Sequence, residues 1–234
     1  MAELDSSLLQ STLHAELRAA WKAVHAAHAG EGVYGFGVLT TDSASTLAVM
    51  AFSEKGLDAA VARVLASKRG QGREPALVRR NLRWSVADSP LHDEGTDLLP
   101  ESNLLVQELE AEADEDDGFD ADDADDFDED AEFDDIEDEG EELDTLVDEV
   151  FELAVEALRD LDEEGVFGSG AERERLVLGV WKADQSNLER HDFARMLNPP
   201  AVARRFGAEM NAGNRAFYQL YLPEEALPED DVFE

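Results

Sequence analysis

The residues whose spacing comes closest to a chemical site are Asp160, Asp162, Glu164 and Gly165. Oxygen ligands at positions 1, 3 and 5 and glycine at 6 form the first half of an EF-hand calcium loop, which a bidentate Glu at position 12 closes. Here position 12 is Ala171, and Glu172 falls one residue late. A loop begun at Asp135, with Glu137, Glu139 and Gly140, ends on Leu146 instead. Both lack the closing carboxylate, so the sequence predicts a helix C-terminus at Gly165 rather than a metal site. His25 and His28 are one helical turn apart, but a metal needs a third ligand and only Glu31 is near. Exposed positions at a helix end are the expectation for them. Gly165–Gly170 lacks the Lys-Ser/Thr of a phosphate loop and follows a helix, not a strand. No Gly-x-Ser-x-Gly elbow and no His-Glu-x-x-His pair is present, and there is no cysteine. The sequence therefore supplies no catalytic residue, metal ligand set or cofactor motif.

What remains is charge. Between Trp84 and Arg159 there is no lysine or arginine, and 23 of the 35 residues from Glu108 to Glu142 are Asp or Glu. That run holds most of the net charge of −38. Residues 1–107 are nearly balanced, with 10 basic and 13 acidic residues, and residues 143–234 carry 9 and 21. Acid confined to one run differs from the evenly acidic surface of a salt-adapted protein. The run has too little apolar area to offset its ordering entropy, and its charges repel. It is expected to be a disordered insertion. Phosphate binding needs a basic surface, and the small group Arg79, Arg80, Arg83 is too little for nucleic acid. These arginines are expected either to fold back on the acidic run or to meet an external anion.

Around the run, the elements follow from periodicity. Leu9, Leu13, Leu17, Trp21 and Val24 predict a helix over 6–28, ended by Gly30 and Gly32. Residues 33–41 alternate, with Val33, Gly35, Gly37 and Leu39 on one face and Tyr34, Phe36 and Val38 on the other. With 45–52 they predict an antiparallel hairpin, whose two glycines would let a backbone or a large side chain lie close. Helices are predicted over 54–66, from 102 into the acidic run, and over 143–161, 185–197 and 201–210. Strands are predicted over 76–86 and 175–181, and 215–222 reads as a short strand or helix. The N-terminus has no basic stretch before an apolar core, and no stretch approaches the ~20 apolar residues of a membrane span. Trp84 and Trp181 are expected in the core.

These elements give an α+β fold, a mainly antiparallel sheet flanked by helices and interrupted by the acidic insertion. Residues 1–107 and 143–234 are expected to be two halves of one domain, because each is small for a core of its own, with 108–142 the insertion.

The segments Tyr34-Gly-Phe-Gly-Val-Leu-Thr-Thr-Asp42, Arg83-Trp84-Ser85, Leu158 to Gly168 (LRDLDEEGVFG) and Asn198-Pro199 resemble the bacterial domain-of-unknown-function family 4303. The resemblance implies a bacterial cytoplasmic α+β domain, and it supplies no catalytic residues to carry over. Some families of similar build act as immunity proteins or adaptors.

Two functions follow as expectations. The first is a non-enzymatic interaction module whose acidic segment engages or steers a basic protein partner. Its binding residues would be Arg83, Trp84, Asp116, Asp117, Asp122, Asp123, Asp125 and Asp126. Neither nucleic acid nor membrane is expected as a partner. The alternative is an enzyme with a site near Asp42, Arg83, Trp84, Asp162 and Glu164.

Overall fold

A computed structural model describes residues 6–41, 45–89, 95–116, 139–182 and 185–222. The elements in chain order are α1 (Ser6–Ala27), β1 (Val33–Thr40), β2 (Leu47–Ser53), α2 (Glu54–Ala66), α3 (Pro75–Leu82), α4 (Pro100–Asp116), α5 (Glu139–Glu163), β3 (Val177–Lys182), α6 (Asn187–Leu197) and α7 (Pro200–Tyr221). The fold is α+β.

The sheet is three-stranded, in the order β2-β1-β3. β1 and β2 form the expected antiparallel hairpin. β3 pairs with β1 in parallel, Gly37 opposite Gly179. The sheet is thus mixed. A tight turn can only return a strand antiparallel, whereas the long helical connection between β2 and β3 leaves the parallel direction open.

Each face of the sheet is covered by helices. Phe36 and Val38 of β1, Val49 and Ala51 of β2, and Leu178 and Val180 of β3 point into a core closed by α1 and α5. The apolar stripes of the two helices supply this layer: Leu9, Leu13, Leu17 and Val24 from α1, and Val150, Ala154, Leu158 and Leu161 from α5. On the opposite face Met50, Phe52, Val177 and Trp181 pack with Trp84 and with Val202, Phe206 and Met210 of α7. A third cluster joins Leu57 and Ala60 of α2 to Val78 and Leu82 of α3 and Leu220 of α7.

Two local expectations are corrected. Residues 76–86 are not a strand: α3 starts with Pro75 in its first turn, and a 3-10 turn follows at Val86–Asp88. Proline suits the first helical turn, whose N–H groups are unpaired anyway. Val78 and Leu82, one turn apart, bury the helix against α2 and α7. The alternation of β1 also breaks near its start. The pairing slips between Val33 and Gly35, and the extra residue, Tyr34, joins Phe52 and Trp84 rather than Phe36. A bulge moves a side chain to the other face in this way. Residues 215–221 continue α7, and Leu222 caps it.

The glycines of the sheet admit large rings. A Cβ on Gly35 would lie 2.8 Å from Cζ3 of Trp84, and one on Gly179 2.5 Å from Cζ2 of Trp181. Both indoles rest on bare backbone.

Both outer strands are held by asparagines. Asn103 of α4 accepts from the Leu47 N–H of β2 at 2.6 Å and donates to the Leu47 carbonyl at 2.9 Å. Asn198, just after α6, accepts from Leu178 N–H at 2.9 Å and donates to Leu178 carbonyl at 2.7 Å. Each amide imitates a neighbouring strand, so these positions of the outer strands are satisfied locally rather than left to pair with another chain. Asn198 also receives Nη2 of Arg173 at 3.2 Å. That buried arginine donates to the carbonyls of Leu176 and Leu197 and, through Nε at 2.6 Å, to Asp162.

Candidate functional site

Arg83 and Trp84, the two described side chains of the expected binding set, sit where α3 ends over the second face of the sheet. Trp84 is 6% exposed. Its ring lies edge-on to Tyr34, Phe52 and Phe206, and its Nε1 donates to Glu209 Oε2 at 3.0 Å. The core reading of this tryptophan therefore holds. Arg83 lies over the Tyr34 ring, 4.3 Å from its centroid, a cation–π geometry. Its Nη1 donates to Glu54 at 3.0 Å, and its Nε is 2.9 Å from Glu209 Oε2. The Tyr34 hydroxyl donates to the Arg83 carbonyl at 2.5 Å. Burial pushes the Tyr34 pKa up, so the phenol stays a donor. For Arg83 burial opposes the charge, but Glu209 and then Glu54 more than offset it and hold its pKa above the ordinary value.

Among the described residues Arg79 pairs with Glu54 and Asp58, and Arg83 with Glu54 and Glu209; residues 117–138 of the acidic run, toward which they were expected to fold, lie outside the described residues. Asp116 is the last residue of α4, while Asp117, Asp122, Asp123, Asp125, Asp126 and Asp42 lie outside the described residues.

Beside Trp84 opens a cleft of about 310 Å³ between α3, α6 and α7. Asn81, Ser85, Arg190, Glu209 and Asn214 contribute its polar lining. Arg190 is half-buried, and its Nε is sealed from solvent without a hydrogen-bond partner. Burial alone lowers its pKa. Sequence reading missed Arg190 and Glu209, because single charges on helices look like ordinary solvent-facing residues.

Two of the carboxylates near Gly165 pair with basic side chains. Asp162 is bound by Arg173. Glu164 receives Arg18 and His14. Gly165 has φ 77°, its N–H donates to the Asp162 carbonyl, and Val166 N–H donates to the Leu161 carbonyl. This is a Schellman close to α5, as expected of a helix end. No hydrogen bond or ion pair among the described residues links Asp162 or Glu164 with Arg83 or Trp84. His25 stacks on Trp21 and His28 pairs with Glu31. Both line a separate cleft of about 220 Å³ with Phe167 and Glu172. Among the described residues no group of three His, Cys, Asp or Glu could hold a metal ion, and no helix is long and apolar enough to cross a membrane.

The Glu164 contacts have a pH consequence. Arg18 and then His14 hold its carboxyl below 4.5. A depressed folded pKa gives stability that is present above the unfolded value and is lost as pH falls through the folded one. Replacing Arg18 with Ala should move the Glu164 titration upward, toward 4.5. Carboxyl NMR over acidic pH measures this, and an unmoved titration contradicts the pairing.

A three-stranded mixed sheet with helices on both faces, an arginine held over a tyrosine, and a tryptophan resting on glycine define an α+β domain with a polar cleft at one helical layer. The chain matches the family described as Domain of unknown function (DUF4303) over residues 13–199, and it belongs to that family. No curated protein and no solved structure matches the chain.

Proposed function

We propose that this chain is a non-enzymatic interaction module of the bacterial cytoplasm whose acidic segment engages or steers a basic protein partner, in the manner of an immunity protein. The observation that carries this reading is the run of 23 acidic residues among 35. Arg79 and Arg83, two of the cations that precede the run, are paired with Glu54, Asp58 and Glu209, which leaves less positive charge on this chain to neutralise it. A concentrated charge attached to a folded body raises the encounter rate with an oppositely charged surface. The candidate enzyme carboxylates Asp162 and Glu164 are engaged by Arg173, Arg18 and His14, which favours binding over catalysis.

The test is capture from the native host at low salt, followed by association kinetics with the captured basic protein. The on-rate should fall ~10-fold or more between low salt and ~0.5 M. Deletion of residues 117–138 should remove both the rapid phase and its salt dependence. Binding that keeps its rate and salt dependence after the deletion would refute the proposal.

A further inference from the structure

We propose that the cleft between α3, α6 and α7 binds the carboxylate of a small organic acid with an apolar body, and that Arg190 receives it. This site is independent of the acidic segment.

Arg190 differs from the other shielded arginines. Arg173 is tied to Asp162, and Arg83 to Glu54 and Glu209. Arg190 forms no ion pair with any described residue, although its Nε is closed off from water. A guanidinium stays charged at any physiological pH, so one that is half-buried with no carboxylate beside it bears a partial desolvation cost. A bound anion removes that cost. Glu209 lines the same cleft but does not serve: its Oε2 already accepts from Trp84 Nε1 and lies against Arg83 Nε.

The rest of the lining suits the remainder of such a ligand. Asn81 and Asn214 offer amide donors on facing helices, while Met210 and Phe217 give an apolar wall. Phe217 is 48% exposed, which leaves surface for a ligand to cover. Ligand sites of this kind combine apolar walls with a few converging polar groups. The ligand is a carboxylate rather than a phosphate dianion for two reasons. A single guanidinium matches one carboxylate by its planar fork. Glu209 in the same lining and the net charge of −38 both act against a second negative charge.

A free organic acid and the C-terminal carboxylate of a peptide ending in an apolar residue present the same chemistry. Four probes separate them on the full chain: 3-phenylpropionate, its neutral amide, a short peptide ending in free phenylalanine, and the amidated twin of that peptide. Side-chain amide NMR of Asn81 and Asn214 reads the site directly. The expected result is shifts with 3-phenylpropionate, binding at least ~10-fold weaker with its amide, and no added affinity from the peptide. Binding should vanish in R190M and R190Q and persist, weaker, in R190K. The melting temperature of R190M should stay level or rise, because an unpaired shielded charge has gone. R190Q keeps polar reach and serves if R190M folds poorly.

The proposal is overturned if the amide binds as well as the acid, or if R190M or R190Q still binds. It is equally overturned if neither acid probe shifts the amide signals up to about 10 mM, a range in which even a weak fragment site fills. Tighter binding of the free-ended peptide would reassign the site to a protein terminus.

Discussion

Replacing Gly37 with alanine should cost more than about 3 kcal/mol, well above the ~1 kcal/mol typical of a point substitution. A Cβ at this position would lie 1.7 Å from the Gly179 carbonyl oxygen and 2.7 Å from Cζ3 of Trp181. The oxygen belongs to the backbone of β3, which pairs with β1 at this very register. It cannot swing aside as a side-chain tip can, so relief requires β1 and β3 to separate. A fitting comparison is Gly72, which has φ 77° and open space around it. There alanine meets only the left-handed backbone penalty, about 1–2 kcal/mol. Urea unfolding of both variants gives the two losses. Equal losses would show that the close strand approach at Gly37 is wrong.

The second large effect is expected at Asn198. Alanine there leaves the Leu178 N–H and carbonyl without partners, removes a 2.8 Å bond to the Ala194 carbonyl, and takes an acceptor from Arg173. Asn198 is 8% exposed and Leu178 is fully buried, so water replaces little of this. Each unsatisfied buried group costs about 1–3 kcal/mol, and such costs do not add fully. A loss of about 3–5 kcal/mol follows. Asn103→Ala should cost less, because that amide is only part-buried. A double-mutant cycle of Asn198→Ala with Arg173→Met should show strong coupling, since the two side chains share one network. Independent, additive losses would deny that network.

The legible parts of this fold are those that one segment specifies alone. α1, α2 and α5 declare themselves because Leu9, Leu13 and Leu17, or Val150, Ala154 and Leu158, repeat at helical spacing and are all buried. The β1–β2 hairpin is local and reads equally well. The glycines of β1 were also legible as places of close approach, and the two tryptophans occupy them. Other features depend on distant chain. Nothing near Val177 shows that β3 runs parallel to β1, because that choice is made by the long connection. α3 reads as a strand because Leu82, Trp84 and Val86 alternate, yet Leu82 ends the helix and Trp84 turns into a different cluster. Tyr34 changes face through a bulge with no sequence mark beyond the glycine after it.

The site divides in the same way. Arg83 and Trp84 stand out as an arginine–aromatic pair, but their partner Glu209 lies 125 residues beyond Trp84 and looks like any helix-surface glutamate. Arg190 becomes notable only once its burial and lack of a partner are seen. Asn198 is visible as the stop before two prolines; its part in holding β3 is not, since a helix-ending asparagine and a strand-clasping one have the same local sequence.

The proposal that the acidic segment is an appendage to one body requires the chain on either side of it to fold jointly. The direct measurement is to produce residues 1–116 and 139–234 as separate polypeptides and follow unfolding of each alone and of the equimolar mixture. The expected result is that neither piece melts cooperatively by itself and that the mixture recovers one shared transition, because β1 without β3 leaves Gly37, Phe36 and Val38 uncovered. Cooperative melting of either piece alone, unchanged by the other, would contradict the account.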